Sequence, residues 1–115
     1  MKIIQAKAEI LYPNVKDPEA VNEMYRRIEA AGRTCYKSED KITPESARKF
    51  VTGLIKRGHE AMIEHASMTV RFTVDRGVSH EVVRHRIASF AQESTRYCNY
   101  GQAKFGDEIT VVKPW

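Results

Sequence analysis

Cysteine is scarce in this chain. Among 115 residues there are two, Cys35 and Cys98. Small secreted domains that depend on disulfides carry more, so the pair reads as two free thiols in a reducing compartment. Long apolar runs are missing as well. No stretch approaches the roughly 18 residues needed to span a bilayer, and no apolar segment follows a basic start as in a secretory leader. The expectation is a cytoplasmic protein with no membrane partner. Metal-ligand spacing is also lacking. "HEAMIEH" sets His59 and His65 six positions apart, and His80 and His85 stand five apart. Two ligands on one helical face need a spacing of four, so no metal site is expected. Internal repeats and low-complexity segments are absent, and the length suits one domain spanning 1–115.

What is present is ordinary for a globular protein: 42% hydrophobic and 30% charged residues. The formal net charge is +4 and the isoelectric point near 9.2. A basic balance leans toward anionic partners such as nucleotides. Nucleic-acid binding fits less well. Phe90, Tyr97 and Tyr100 are the only aromatics near the arginines described below, and lysines are sparse there, whereas strand-binding surfaces interleave the two.

Periodicity outlines the elements. Ile4, Ala6, Ala8 and Ile10 alternate and predict a half-buried strand. Asp17 followed by Pro18 predicts a helix start. Val21, Met24, Tyr25 and Ile28 continue at helical spacing, and Gly32 predicts the stop. "RTCYKSEDKI" reads as a loop. Thr43 and Pro44 predict a second helix whose stripe is Ala47, Phe50, Val51, Leu54 and Ile55, ended by Gly58. Met68, Val70, Phe72 and Val74 predict a strand face. Ser79 is a candidate cap for a short helix reaching about His85, and "ITVVK" predicts a last strand. Strands and helices mix without strict alternation. The expected fold class is α+β, a mostly antiparallel sheet with helices packed on it, in a chain small enough to gain stability from association into a homo-oligomer.

The chemistry concentrates in "VVRHRIASFAQESTRY", Val82 to Tyr97. Arginine stays charged and offers a planar fork suited to phosphate, carboxylate or a carbonyl edge. Arg84, His85 and Arg86 are adjacent, so on a helix they fan over roughly 200°, and on a strand His85 opposes the two arginines. Neither geometry aims all three at one small ligand. The fan suits two ligands, or a ligand and a neighbouring subunit. Ser94 and Thr95 add hydroxyls, and a Ser-Thr-Arg turn can cradle phosphate. A solvated basic helix end followed by a turn satisfies the same spacing. Neither cysteine is marked as an activated nucleophile.

The same residues carry a resemblance. Arg84-His85-Arg86, seven residues, then Ser94 resembles the signature of the flavin-dependent thymidylate synthases, and Arg96-Tyr97 extends the likeness. "GHEAMIEH" (58–65) and "AGRTCYKS" (31–38) resemble two further blocks of that family, in the same order. The resemblance implies conversion of dUMP to dTMP, with methylenetetrahydrofolate giving the carbon and FAD, reduced by NADPH, the hydride, in a homotetramer with sites where subunits meet. It places His59, Glu64, Arg84, His85, Arg86 and Gln92 at FAD. It places Arg84, Gln92, Glu93, Ser94, Thr95 and Arg96 at dUMP. Three positions depart from the family pattern. Ala91-Gln92 stands where many relatives have Asn-Glu, Glu81 where a glutamine is common, and Ala61 replaces a residue whose hydroxyl or backbone often touches FAD. Family members run to about twice this length, and their uracil-polarising arginine falls beyond residue 115. The expectation is therefore the N-terminal part of such a synthase with no catalytic residue of its own. The alternative is a truncated, non-catalytic flavin- or nucleotide-binding module.

Overall fold

A computed structural model describes residues 1–114; Trp115, part of the predicted single domain, lies outside the described residues. Four strands and three α-helices are formed: β1 (Lys2–Ile4), β2 (Lys7–Tyr12), α1 (Pro18–Thr34), α2 (Ser46–Lys56), β3 (Thr69–Thr73), α3 (Arg76–Val82) and β4 (Thr110–Val112). Short 3-10 turns cover Glu39–Lys41, Glu60–His65 and Ala103–Phe105. By internal packing the chain divides into two units, Ile10–Arg71 and Met1–Glu9 together with the segment from Phe72 onward. The division falls within β2 and β3.

The first unit is built on α1 and α2. Asp17 caps α1 by accepting from the Glu19 N–H at 3.0 Å, with Pro18 in the first helical position. That satisfies one of the amides a helix start leaves open. Arg26 holds Glu19 and Glu23 on the outer face of α1. The hydrogen bond and charge of Glu19 raise the Arg26 pKa above its ordinary value. The inner faces meet in a small core of Ile28, Val51 and Leu54, with Tyr25, Phe50, Met62, Ile63 and Ala66 packed around it. Gly32 does not stop α1, which runs on to Thr34. It is instead a place of close approach, since a Cβ there would meet the Phe50 ring at 2.7 Å. Helix α2 begins at Ser46, after a turn in which Ser46 Oγ accepts from the Thr43 N–H at 2.9 Å. It ends at Lys56, before Gly58 at φ +69°.

The α+β class holds, but the sheet is not mostly antiparallel. Among the described residues there are two sheets of two strands each. The β2–β3 pair is antiparallel. The β1–β4 pair is parallel, in the register Lys2 with Thr110, Ile3 with Val111 and Ile4 with Val112. Bonds from Lys2 N to Ile109 O (2.9 Å) and from Lys113 N to Ile4 O (2.8 Å) extend it. A parallel pair needs a crossover between its strands; here nearly the whole chain is that crossover, so no local pattern announces it. The predicted N-terminal strand is likewise split in two at Gln5–Ala6. Ile4 and Ala6 are half-buried, whereas Ala8 and Ile10 are exposed. On β3, Val70 is half-buried and Phe72 is exposed.

Candidate functional site

The motif begins where α3 ends. Asp75, not Ser79, caps this helix: its carboxylate accepts from the Val78 N–H at 3.1 Å. Ser79 lies inside the helix, and the helix stops at Val82 rather than His85. The Arg84 N–H closes a turn on Glu81 O, and the His85 N–H closes another on Val82 O, each 3.1 Å. Arg84, His85 and Arg86 therefore lie on neither a helix nor a strand. All three side chains are exposed, and among the described residues none has an intrachain salt bridge or side-chain hydrogen bond. Ile87 follows at φ +62° and is 97% exposed. A β-branched residue in the left-handed region is strained, so the chain is bent hard directly behind the arginines.

The second half of the motif turns back on α3. Gln92 Nε2 donates to Ser79 Oγ at 2.7 Å, and Ser79 Oγ donates to Arg76 O at 3.0 Å. A hydroxyl has one hydrogen, so giving it to Arg76 leaves Ser79 as acceptor. That fixes the Gln92 amide with its nitrogen on Ser79 and its oxygen outward. Sequence reading missed this pairing, because 13 positions separate the partners and no periodicity links them. Ser94 organises the following turn. Its carbonyl accepts from Tyr97 N (3.2 Å) and Cys98 N (3.0 Å), and its Oγ accepts from the Arg96 N–H (3.3 Å). Ser94 is half-buried; Glu93, Thr95 and Arg96 are exposed. Glu81 is exposed on α3.

One stretch carries Arg84, His85, Arg86, Gln92, Glu93, Ser94, Thr95 and Arg96, all within the same unit. His59 and Glu64 belong to the other unit, where His59 precedes the 3-10 turn that contains Glu64 and both are exposed. Exposed guanidinium groups with no internal acid partner, beside a turn with a hydroxyl, can bind anions. Their donors are not consumed by the fold. No three His, Cys, Asp or Glu side chains among the described residues form a group able to hold a metal. Cys35 and Cys98 are free thiols. No helix among the described residues is long and apolar enough to cross a membrane.

A family model described as thymidylate synthase complementing protein matches residues 19–115. The chain belongs to this family. Curated proteins named flavin-dependent thymidylate synthase are among its relatives. That of Corynebacterium aurimucosum is 38% identical over 99 residues, covering 84% of this chain and 37% of the relative. That of Geobacter sulfurreducens is 34% identical over 111 residues, covering 90% of this chain and 44% of the relative. That of Clostridium tetani is 35% identical over 105 residues, covering 90% and 35%. The chain therefore spans about two-fifths of the length of these relatives. No solved structure matches it at a significant level.

Proposed function

We propose that this member of the thymidylate synthase complementing family supplies the flavin- and dUMP-binding part of a flavin-dependent thymidylate synthase. The reaction is methylation of dUMP to dTMP, with methylenetetrahydrofolate as carbon donor and NADPH-reduced FAD as hydride source. The observation that carries the reading is the Arg84-His85-Arg86-x7-Ser94 segment, held out on a bent turn with its cations unpaired within the chain.

The donor chemistry fits FAD. Arg84 and Arg86 offer fixed positive charge and His85 a ring N–H, which stabilise a pyrophosphate or an anionic reduced ring. His59 and Glu64 are proposed as flavin contacts on the family resemblance alone. Bound there, reduced FAD supplies the hydride. Gln92, Glu93, Ser94, Thr95 and Arg96 wrap the nucleotide. The Arg96 guanidinium and the Ser94 and Thr95 hydroxyls suit its phosphate, and the outward Gln92 oxygen accepts a hydrogen bond without adding charge. Arg84 borders both ligands. Glu81 is a poor phosphate neighbour, because like charges repel. A homotetramer is the assembly in which motif residues facing different ways each meet a ligand. The cytoplasm is the proposed location.

Flavin fluorescence titration of the 115-residue chain tests the binding half of the reading. Arg86→Ala should weaken FAD binding about tenfold or more, as expected for a charge-assisted contact; an unchanged titration would remove Arg86 from the site. Ser94→Ala should weaken dUMP binding by about 1–3 kcal/mol, read from a calorimetric isotherm. Release of tritium from 5-labelled dUMP, with folate and NADPH present, tests turnover. Binding of both ligands without release is the outcome expected of a non-catalytic module.

A further inference from the structure

Away from the motif, a groove of about 380 Å³ lies between the end of α1 and the outer side of α2. Its lining is Arg33, Ser46, Lys49, Phe50, Gly53 and Arg57. Three of these six are cations and none is an acid.

The floor of the groove is built from a buried charge. Glu29 is 1% exposed. Its Oε1 accepts from Arg33 Nε at 3.2 Å and Nη2 at 3.1 Å, and its Oε2 accepts from Ser46 Oγ at 2.8 Å. Arg33 also lies over the Phe50 ring, 4.4 Å from its centroid. A guanidinium has five N–H donors, and Glu29 engages two of Arg33's. The side chain, 16% exposed, is held rigidly with donors left over. Such a group loses little freedom when it takes a further acceptor.

The rim is made by α2 and its end. Lys49, Gly53 and Arg57 follow one another at a spacing of four and so share one side. Among the described residues no acidic side chain lies within 4 Å of Lys49 or Arg57. Gly53 stands midway between them. Glycine inside a helix is destabilising relative to alanine, so its presence asks for a reason. Only the flexible end of Arg57 opposes a Cβ there, with Nη1 at 3.1 Å. No backbone or core atom excludes one. What the missing side chain does is let the Arg57 guanidinium lie back over α2, so that Arg57 borders the groove together with Lys49 and Arg33.

We propose that this groove binds a phosphomonoester carried on a small apolar ring. The volume falls in the range of small-ligand sites. Two unpaired cations lining one groove with Arg33's spare donors match a dianion with three terminal acceptor oxygens better than a carboxylate with two. The Phe50 ring and the stems of Lys49 and Arg57 offer apolar contact for the organic part. The site shares no residue with the motif. It goes beyond the proposed synthase reaction and stands or falls separately.

The test is a titration of the isotopically labelled 115-residue chain with phenyl phosphate, inorganic phosphate, benzoate and benzyl alcohol, following backbone amides by NMR. Phenyl phosphate should shift Lys49, Phe50 and Gly53 and bind more tightly than the other three. Affinity should fall as salt rises, since exposed charges are screened. Lys49→Ala and Arg57→Gln should each weaken binding about threefold, near the upper range for exposed ion pairs. Gly53→Ala guards against a merely structural effect. It should raise the melting temperature, as alanine does in a helix, and yet weaken phenyl phosphate binding. Shifts confined to the motif, benzoate or benzyl alcohol binding as well as phenyl phosphate, or full affinity in Gly53→Ala would each overturn the proposal.

Discussion

The two units of this chain solve opposite problems. Residues Ile10–Arg71 hold every buried core side chain among the described residues: Ile28, Ala47, Val51 and Leu54. They also spend a carboxylate, Glu29, on fixing Arg33 and Ser46. The other unit carries Arg84, His85, Arg86 and Ser94, and among its described residues none reaches the buried class. Its large apolar groups stay open, Ile87 at 97% and Tyr97 at 78%. The helical pair invests Glu29, Arg33 and Ser46 internally and leaves Lys49 and Arg57 unpaired at its groove. The motif keeps its cations uncommitted, and its local order comes from short turns and the Gln92–Ser79 bond. The lesson is that a charge neutralised by the fold contributes stability, whereas a charge left unpaired is available to a ligand.

Substitutions can break that contrast, and the largest effect is expected at Glu29. Glu29→Ala leaves Arg33 largely buried without its partner and should lower unfolding free energy by about 3–5 kcal/mol, read by urea denaturation. A loss under 1 kcal/mol would show that the pair is not the anchor of the helical unit. Leu54→Ala comes next. Removing a side chain that is 3% exposed should cost about 2–5 kcal/mol. Ile87→Gly deletes a comparable apolar group from the motif and should cost nothing. The side chain buries almost no surface, and glycine relieves the positive φ, for a net change of about 0–1 kcal/mol toward greater stability. A clear destabilisation would mean that Ile87 is covered in solution. The smallest effect on stability is expected for Arg86→Ala, within about 0.5 kcal/mol as for most surface changes, although the same variant should lose FAD affinity. A large stability loss there would erase the distinction between the two units.

Parts of this were legible in the sequence. The Asp17–Pro18 start of α1 follows from capping and the stripe of Ala47, Phe50, Val51 and Leu54 on α2 from helical period, which act within a turn or two; Ile55, expected on that stripe, is exposed instead. The final strand was legible as well. The motif was readable as spacing, and its family membership is borne out by the match over residues 19–115. The cap of α3 was misplaced by four residues, because Ser79 and Asp75 are both good caps and only the backbone selects one. The Glu29–Arg33 pair had a faint signal, an acid and a base at a spacing of four on one helix. Nothing in that spacing says that the pair is buried, since the third partner, Ser46, comes from another helix.

By itself the sequence determined that α1 and α2 are helical, where α1 starts, and the Arg-His-Arg-x7-Ser spacing from which the family was read, since each depends on residues only a few positions apart. Tertiary structure alone decided the parallel β1–β4 pairing, the burial of Glu29, the Ser79 anchor of Gln92 and the place of the Arg57 guanidinium over Gly53. Each of these depends on groups that are distant along the chain, or on what a neighbouring element leaves open.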